Sequence, residues 1–215
     1  MFVRIAVLLL LAAACAMASV WRTNYVIDQL LPSIGEKEIP LGRISFDVDT
    51  EGAKSGFIEF HLKNGALGDL HRRVRRERDC SFSDFTWSSQ RKYIITCNLS
   101  LRGLVAKYDV EVIVDRKSKR AAVEVLVDSG RLFTNMYCYL DKCTKCTELQ
   151  FFSVELSAKM LPIETPLGFP RDVIKQFERE VVSRAKIGIA FAFNTTYKQA
   201  FEAKTAPLTV ADFTA

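Results

Sequence analysis

The sequence predicts an α+β fold: a long curved antiparallel sheet wrapped around a long C-terminal helix, with a short helix near the N-terminus. Apolar residues near the C-terminus recur every three to four positions, which is the period of a helix. Between residues 43 and 160 they alternate with polar residues, which is the period of a strand. The connections between these strands are too short for parallel crossovers, so we expect an antiparallel sheet.

Residues 1–18 have the form of a signal peptide. Arg4 precedes the apolar run 5–14, and Ala16 and Ala18 give the small-x-small pattern of a cleavage site. The run is too short to span a bilayer, so no transmembrane segment is predicted. We therefore expect a secreted, extracellular protein with a single domain over residues 19–215. The formal net charge of the full sequence, +5, is only mildly basic and does not indicate a nucleic-acid partner.

The middle of the chain reads as a short helix followed by many strands. Residues 20–31 carry apolar side chains at helical spacing and stop at Pro32. The strands that follow are predicted over residues 43–49, 57–62, 80–87, 92–102, 105–114, 121–127, 132–139 and 149–160. The turns between them are predicted at 52–56, Asn64-Gly65, Ser88-Ser89, 115–119 and Ser129-Gly130.

Residues 169–201 form the predicted C-terminal helix. Pro170 suits its first turn, and the apolar stripe repeats every four residues at Val173, Phe177, Val181, Ala185 and Ile189. Residues 185–193 are apolar on nearly every side, which predicts that other parts of the chain enclose them. A strand is the alternative, because Ile187, Ile189, Phe191 and Phe193 alternate with small residues; the length of the segment and its Ala and Gly residues favour the helix.

The order of these segments resembles a known superfamily. The resemblance rests on residues 44–48, 57–62, 65–70, 99–104 with 108–110, and 149–160, followed by the C-terminal helix. This order resembles the tubular lipid-binding superfamily. It is most similar to the group-seven mite allergens, then to the takeout and juvenile-hormone-binding proteins of insects, and more distantly to the bactericidal/permeability-increasing proteins. The resemblance implies an allergen-like arthropod protein with a sheet rolled around a helix and an apolar lumen. The cysteines, the arginine run and the short N-terminal helix depart from the mite pattern.

The lumen would be lined by the inward faces of the helix and strands, and these residues are the candidate ligand-binding set: Phe177, Val181, Ile189, Phe193, Tyr93, Ile95, Leu99, Val110, Val112, Val123, Val125 and Val127. The function expected on this basis is a non-enzymatic carrier or binder of a hydrophobic small molecule or lipid, such as an acyl chain or a terpenoid. A fully packed core without a cavity is the alternative.

The cysteines predict disulfides and no metal site. Cys15 leaves with the signal peptide, and Cys80 and Cys97 are equidistant from the Ser88-Ser89 turn, which predicts a disulfide between neighbouring strands. Another disulfide is expected within the cluster Cys138, Cys143 and Cys146, with one thiol left either buried or paired between chains. A single C-x-x-C without a second pair or a nearby His argues against zinc, and no cofactor is predicted.

Two sequons match the N-glycosylation pattern, at Asn98 and Asn194. Strand alternation places Asn98 on the solvent face, whereas Asn194 adjoins the apolar helix and is expected to be protected.

Five arginines form a predicted anion patch: Arg72, Arg73, Arg75, Arg76 and Arg78. Such a run on a surface strand predicts binding to a heparin-like glycan, an anionic lipid surface or microbial lipid, in host defence or host modulation. The alternative is a solvated strand edge that prevents sheet-to-sheet pairing.

The sequence contains no catalytic motif. His61 lies on a predicted strand and His71 adjoins the arginine run, and no nucleophile elbow or phosphate loop is present. We interpret His61 as structural and expect no enzymatic activity.

Overall fold

We describe residues 20–34, 38–51, 53–54, 56–87, 90–139, 146–163 and 167–214 from a computed structural model, of which 85–87, 90–91, 139, 146–149, 151–153 and 214 are described by backbone alone. The predicted signal peptide lies outside these ranges and stays a prediction. Within the described residues, no helix combines the length and apolar character needed to cross a bilayer.

The predicted α+β fold is confirmed. One antiparallel sheet contains the strands β1 (Glu38–Pro40), β2 (Ile44–Asp49), β3 (Phe57–Gly68), β4 (Arg75–Arg76), β5 (Ser81–Trp87), β6 (Gln90–Ser100), β7 (Val105–Val114), β8 (Lys117–Tyr139) and β9 (Cys146–Met160). The helices are α1 (residues 20–30), α2 (Leu70–Arg73), α3 (Arg171–Ala192), α4 (Lys198–Thr205) and α5 (Val210–Thr214). A 3₁₀ turn (Leu31–Ser33) extends α1, and a π-helical turn (Phe193–Tyr197) joins α3 to α4.

The strand β8 organises the sheet. Its first half pairs with β7 and its second half with β6, while β9 pairs along its opposite edge. The predicted turn at Ser129-Gly130 is wrong, because β8 runs through it as one strand of 23 residues. The glycine serves close packing instead of a turn: a Cβ atom there would lie 2.8 Å from Leu156 Cδ2 and 3.1 Å from Leu101 Cβ.

The predicted turn at Asn64-Gly65 is also wrong. Both residues lie inside β3, where the pairing with β7 shifts register between Lys63 and Ala66. Asn64 has a φ of 51°, so the left-handed residue that the sequence signals produces a bulge and not a hairpin. The continuous strand carries β3 past β2 to pair with β1.

The C-terminal segment is helical, as predicted, and the strand alternative is wrong. The α3 stripe from Val173 to Ile189 is buried against β9, β2 and β8. Phe46, Phe60 and Phe177 pack together there, with ring centroids 4.6 to 6.0 Å apart. Aromatic pairs at this spacing contribute about 0.5–1.5 kcal/mol each beyond burial.

The predicted enclosure of residues 185–193 is wrong. The sheet covers one face of α3, and on the other face Ile187 and Phe191 are 68% and 69% exposed. The apolar character of residues 185–193 on all sides therefore does not mean that they are buried on all sides. It identifies an apolar helix surface that remains open to solvent.

Candidate ligand-binding groove

The predicted lumen residues lie together in the interior. All of them are buried except Tyr93, which is partly buried and stacks on Phe82 with ring centroids 5.0 Å apart. The helix members pack against the strand members as one core. Ligand binding by this set stays a prediction.

A surface groove opens beside this core, between residues 40–45 and the second half of α3. We call it the helix groove; its volume is about 570 Å³. One wall is the connection from β1 into β2, and the other contains Ile187 and Phe191. Gly42 and Gly188 contribute no side chain to these walls, which leaves space between the two segments. The groove therefore brings solvent to the apolar side of α3.

Apolar side chains line the middle of the helix groove. Ile187 and Phe191 are one helical turn apart on α3, and Leu41 and Ile44 face them from the other wall. Two large exposed apolar side chains in a concave surface are the kind of feature that marks a binding site. The sequence contained the signal for this wall, but the apolar character of residues 185–193 on nearly every side predicted that the two residues were enclosed.

Tyr108 on β7 forms the base of the helix groove. Its side chain is 2% exposed, and its hydroxyl has no hydrogen-bond partner among the described residues. Desolvation by the surrounding core raises the pKa of Tyr108 to about 12. At neutral pH the hydroxyl is thus a protonated donor in an apolar setting. Sequence reasoning had no signal for this residue, because Tyr108 appears as one more apolar position on its strand.

Two guanidinium groups mark the rim of the helix groove. Arg43 is exposed on one wall. Arg184 on α3 lies 5.5 Å from the ring centroid of Phe46, and its Nε is 3.3 Å from Glu180 Oε2. The groove therefore combines an apolar wall with two guanidinium groups, one at Arg43 that has no ion-pair partner among the described residues and one at Arg184 that is paired with Glu180.

A hydroxyl, an imidazole and a carboxylate meet near this rim. Ser45 Oγ is 3.0 Å from His61 Nδ1, and His61 Nε2 is 3.4 Å from Glu59 Oε2. Ser45 and His61 are opposite each other on β2 and β3, so the contact follows from strand register. All three side chains are open to water, whereas a hydrolytic site gains its strength from excluding water. The cross-strand contact supports the structural interpretation of His61.

The arginine run surrounds a second concavity, which we call the basic cleft. Its volume is about 690 Å³, and its lining residues include Arg72, Arg73, Arg75 and Arg102. The run does not form a surface strand: Arg72 and Arg73 belong to α2, and only Arg75 and Arg76 lie in β4. The alternative of a solvated strand edge therefore applies to two residues at most.

Arg76 differs from its neighbours in the run. Its guanidinium lies 2.7 Å from Asp28 Oδ2 and 3.2 Å from Asp79 Oδ1. The hydrogen bond with Asp28 raises the pKa of Arg76, and attraction to Asp79 adds to it. Arg76 thus ties α1 to the sheet, which leaves Arg72, Arg73, Arg75 and Arg78 exposed for an anion.

The disulfide between Cys80 and Cys97 is confirmed, with an S–S distance of 2.05 Å. Cys138 is also disulfide-bonded. Cys143 and the side chain of Cys146 lie outside the described residues, so the pairing within this cluster stays a prediction. In the part of the chain described here, no group of three or more His, Cys, Asp or Glu side chains is placed to hold a metal ion.

The two sequons occupy different settings. Asn98 lies on the outer face of β6 and is partly buried. Asn194 is exposed, so the expected protection by the helix is wrong; its Nδ2 donates to the Ala190 carbonyl at 3.0 Å. Glycosylation at either position stays a prediction.

Comparison with known proteins gives distant similarities to several solved structures. The sequence matches no protein-family description and no curated protein. The chain is similar to the crystal structure of lipopolysaccharide binding protein (TM-score 0.41, 11% identity). The alignment covers 81% of this chain and 37% of that chain. It is also similar to Takeout 1 of Epiphyas postvittana (TM-score 0.40, 11% identity), over 88% of this chain and 93% of that one. Both likenesses are too distant to support a function.

Proposed function

We propose that the protein is an extracellular, non-enzymatic binder of a hydrophobic small molecule or lipid, and that its ligand lies in the helix groove. The observation that carries the proposal is the pair Ile187 and Phe191, which is exposed inside a concave, largely apolar surface. The Cys80–Cys97 disulfide supports the extracellular setting, because such bonds persist in oxidising compartments.

The apolar contact is large enough to give useful affinity. Each buried methylene contributes about 0.8 kcal/mol, so a ten-carbon chain contributes about 8 kcal/mol before the costs of association. Loss of translational and rotational freedom costs at least about 4 kcal/mol, which leaves about 4 kcal/mol and a dissociation constant on the order of millimolar for a ten-carbon chain. A sixteen-carbon chain, at about 13 kcal/mol before that cost, reaches the micromolar range. The arginines at the rim, Arg43 and Arg184, favour a ligand with its polar or anionic end near solvent.

The interior is the other place for a ligand. Binding there requires α3 to move from the sheet, because Phe177 and Val181 are fully buried between them. Substitutions on the open face of α3 distinguish the two locations, since Phe191 lines the groove while Ile189 faces the core.

The test is titration of the delipidated protein with an environment-sensitive fluorescent fatty-acid probe. We expect Phe191→Gln to weaken binding about tenfold, since it removes roughly half of the exposed apolar wall. Tyr25→Gln is the matched control, because Tyr25 is also an exposed aromatic residue on a helix but lies outside the groove. Equal affinity of both variants and the parent would move the ligand out of the groove, and no uptake of probe by the parent would refute the function.

The basic cleft favours a second function, the binding of an anionic glycan or an anionic lipid surface. Its exposed arginines surround a concave space, so several can contact one polyanion. We expect the triple variant of Arg72, Arg73 and Arg75 to Ser to elute from heparin at lower salt than the parent. The control removes the same charge at exposed sites elsewhere, with Ser at Lys54, Lys117 and Arg120. Equal elution of the two triple variants would show that retention depends on total charge and not on the basic cleft.

A further inference from the structure

We propose that the Tyr108 hydroxyl is the polar recognition group of the helix groove, and that the ligand carries a neutral hydrogen-bond-accepting oxygen, as in a ketone, an ester or an alcohol. This inference rests on the proposed function of the groove. It adds a chemical class: an oxygenated apolar molecule is preferred to a hydrocarbon of the same shape.

The first observation is that burial of the Tyr108 hydroxyl costs free energy that no hydrogen bond in the described part of the chain offsets. The Tyr108 hydroxyl is buried without a hydrogen-bond partner among the described residues, although the tyrosine side chain borders an open groove. A phenylalanine would fill the same core position without that cost. Buried polar groups are rarely left unsatisfied, and an incoming oxygen atom from the groove would satisfy this one.

The position of the ring is fixed from one side. At Gly65, a Cβ atom would lie 2.8 Å from Tyr108 Cδ1 and 2.9 Å from Leu41 Cβ, so the ring occupies the space that this glycine leaves. The close backbone holds the ring and therefore directs the hydroxyl. A hydroxyl held in one place by its scaffold is suited to recognition, because little freedom is lost when the ligand binds.

The hydroxyl end lies beneath α3 at a gap in the side chains. A Cβ atom added to Gly188 would lie 3.6 Å from Tyr108 Oη, at ordinary van der Waals distance. Because Gly188 has no side chain, only the backbone of α3 covers the hydroxyl at this turn. Ile187 and Phe191 flank Gly188 on the groove side, so a small outward shift of α3 at this turn lets a ligand packed against them place an oxygen on the hydroxyl.

The protonation state favours a neutral acceptor. Burial raises the pKa of Tyr108 to about 12, so the group donates one hydrogen bond at neutral pH. A carboxylate at this depth would lose its hydration, whereas the rim arginines can hold a charged end in water. A ketone or ester oxygen accepts the bond without that loss.

The experiment compares 2-acetylnaphthalene with 2-isopropenylnaphthalene, which have the same shape and differ in a carbonyl oxygen against a methylene group. Each displaces the fluorescent fatty-acid probe from the full-length mature protein. We expect the parent to bind the ketone about tenfold more tightly than the alkene, and Tyr108→Phe to reduce this ratio to about one. Tyr197→Phe is the control, because Tyr197 is buried but does not line the groove, and it should keep the ratio.

A second variant keeps the tyrosine and covers it. Gly188→Ala fits at 3.6 Å from the hydroxyl and should also lower the ketone preference, with an unchanged or raised melting temperature. A ratio near one in the parent, or a ratio that Tyr108→Phe leaves unchanged, overturns the inference while the groove still binds both molecules. Failure of either molecule to displace the probe in the parent overturns groove binding itself.

Discussion

Alanine at Gly65 should disrupt the base of the helix groove. The added Cβ atom would lie 2.8 Å from Tyr108 Cδ1 and 2.9 Å from Leu41 Cβ, both closer than carbon atoms pack. Leu41 Cβ moves only with its backbone, and the Tyr108 ring is buried. The clash therefore cannot be relieved by a simple change of side-chain rotamer at either neighbour.

The magnitude follows from two opposing contributions. Overpacking of a closely packed site costs about 1–3 kcal/mol. Removing a glycine from the unfolded chain returns about 0.4–1 kcal/mol where alanine fits the backbone. We therefore expect Gly65→Ala to lower the free energy of unfolding by about 1–2 kcal/mol.

Urea unfolding of Gly65→Ala and Gly68→Ala measures this directly. Both glycines lie in β3, and a Cβ atom at Gly68 meets nothing within 4 Å. The double variant Gly65→Ala with Tyr108→Leu should recover part of the loss through a favourable coupling energy, because the ring that meets the new methyl group is gone. Equal stability of the two single variants would refute the packing argument for the Tyr108 ring.

Three further predictions address the rest of the chain. Replacing both Cys80 and Cys97 with Ala should lower the free energy of unfolding by about 2–4 kcal/mol in urea titrations, because the bond closes a loop with a sequence separation of 17. The hydrogen bonds from the Thr209 backbone N–H and hydroxyl lower the pKa of Asp212, so its stabilisation is present above the unfolded pKa of about 3.9 and is lost as pH falls through the lower folded value. Asp212→Asn should therefore flatten the stability profile below about pH 4, and an unchanged profile would contradict this assignment. Ser45→Ala should not change the slow hydrolysis of a p-nitrophenyl ester, and a decrease would reveal an activity of the cross-strand contact.

The regular elements were predictable because their residues repeat with the period of their structure. The strand β7 has the predicted bounds, and the α3 stripe faces the sheet as its four-residue spacing indicates. The Cys80–Cys97 disulfide was predictable for the same reason, since strand register is symmetric about a hairpin.

The two wrong turns have a shared physical cause. Gly65 and Gly130 are residues typical of turns, but each lies in a continuous strand where a neighbouring side chain requires the space of a missing Cβ atom. The glycine signal is local, while the neighbour that explains it comes from a distant strand. A single sequence cannot distinguish these two uses of glycine.

The helix groove was not predictable because its parts look like core residues in the sequence. Ile187 and Phe191 are apolar and lie within a segment that is apolar all around, yet nothing in their spacing reports that the sheet covers only one face. Tyr108 lies at a buried position in the alternating pattern of β7, so the sequence presents it as a core residue. That its hydroxyl has no partner among the described residues is evident only when Gly188 of α3 is known to lie above it. The groove therefore depends on which surfaces remain uncovered, and that is a property of the packed chain. Its exposed apolar wall and the buried hydroxyl at its base favour binding of an oxygenated ligand over a purely structural role for these residues.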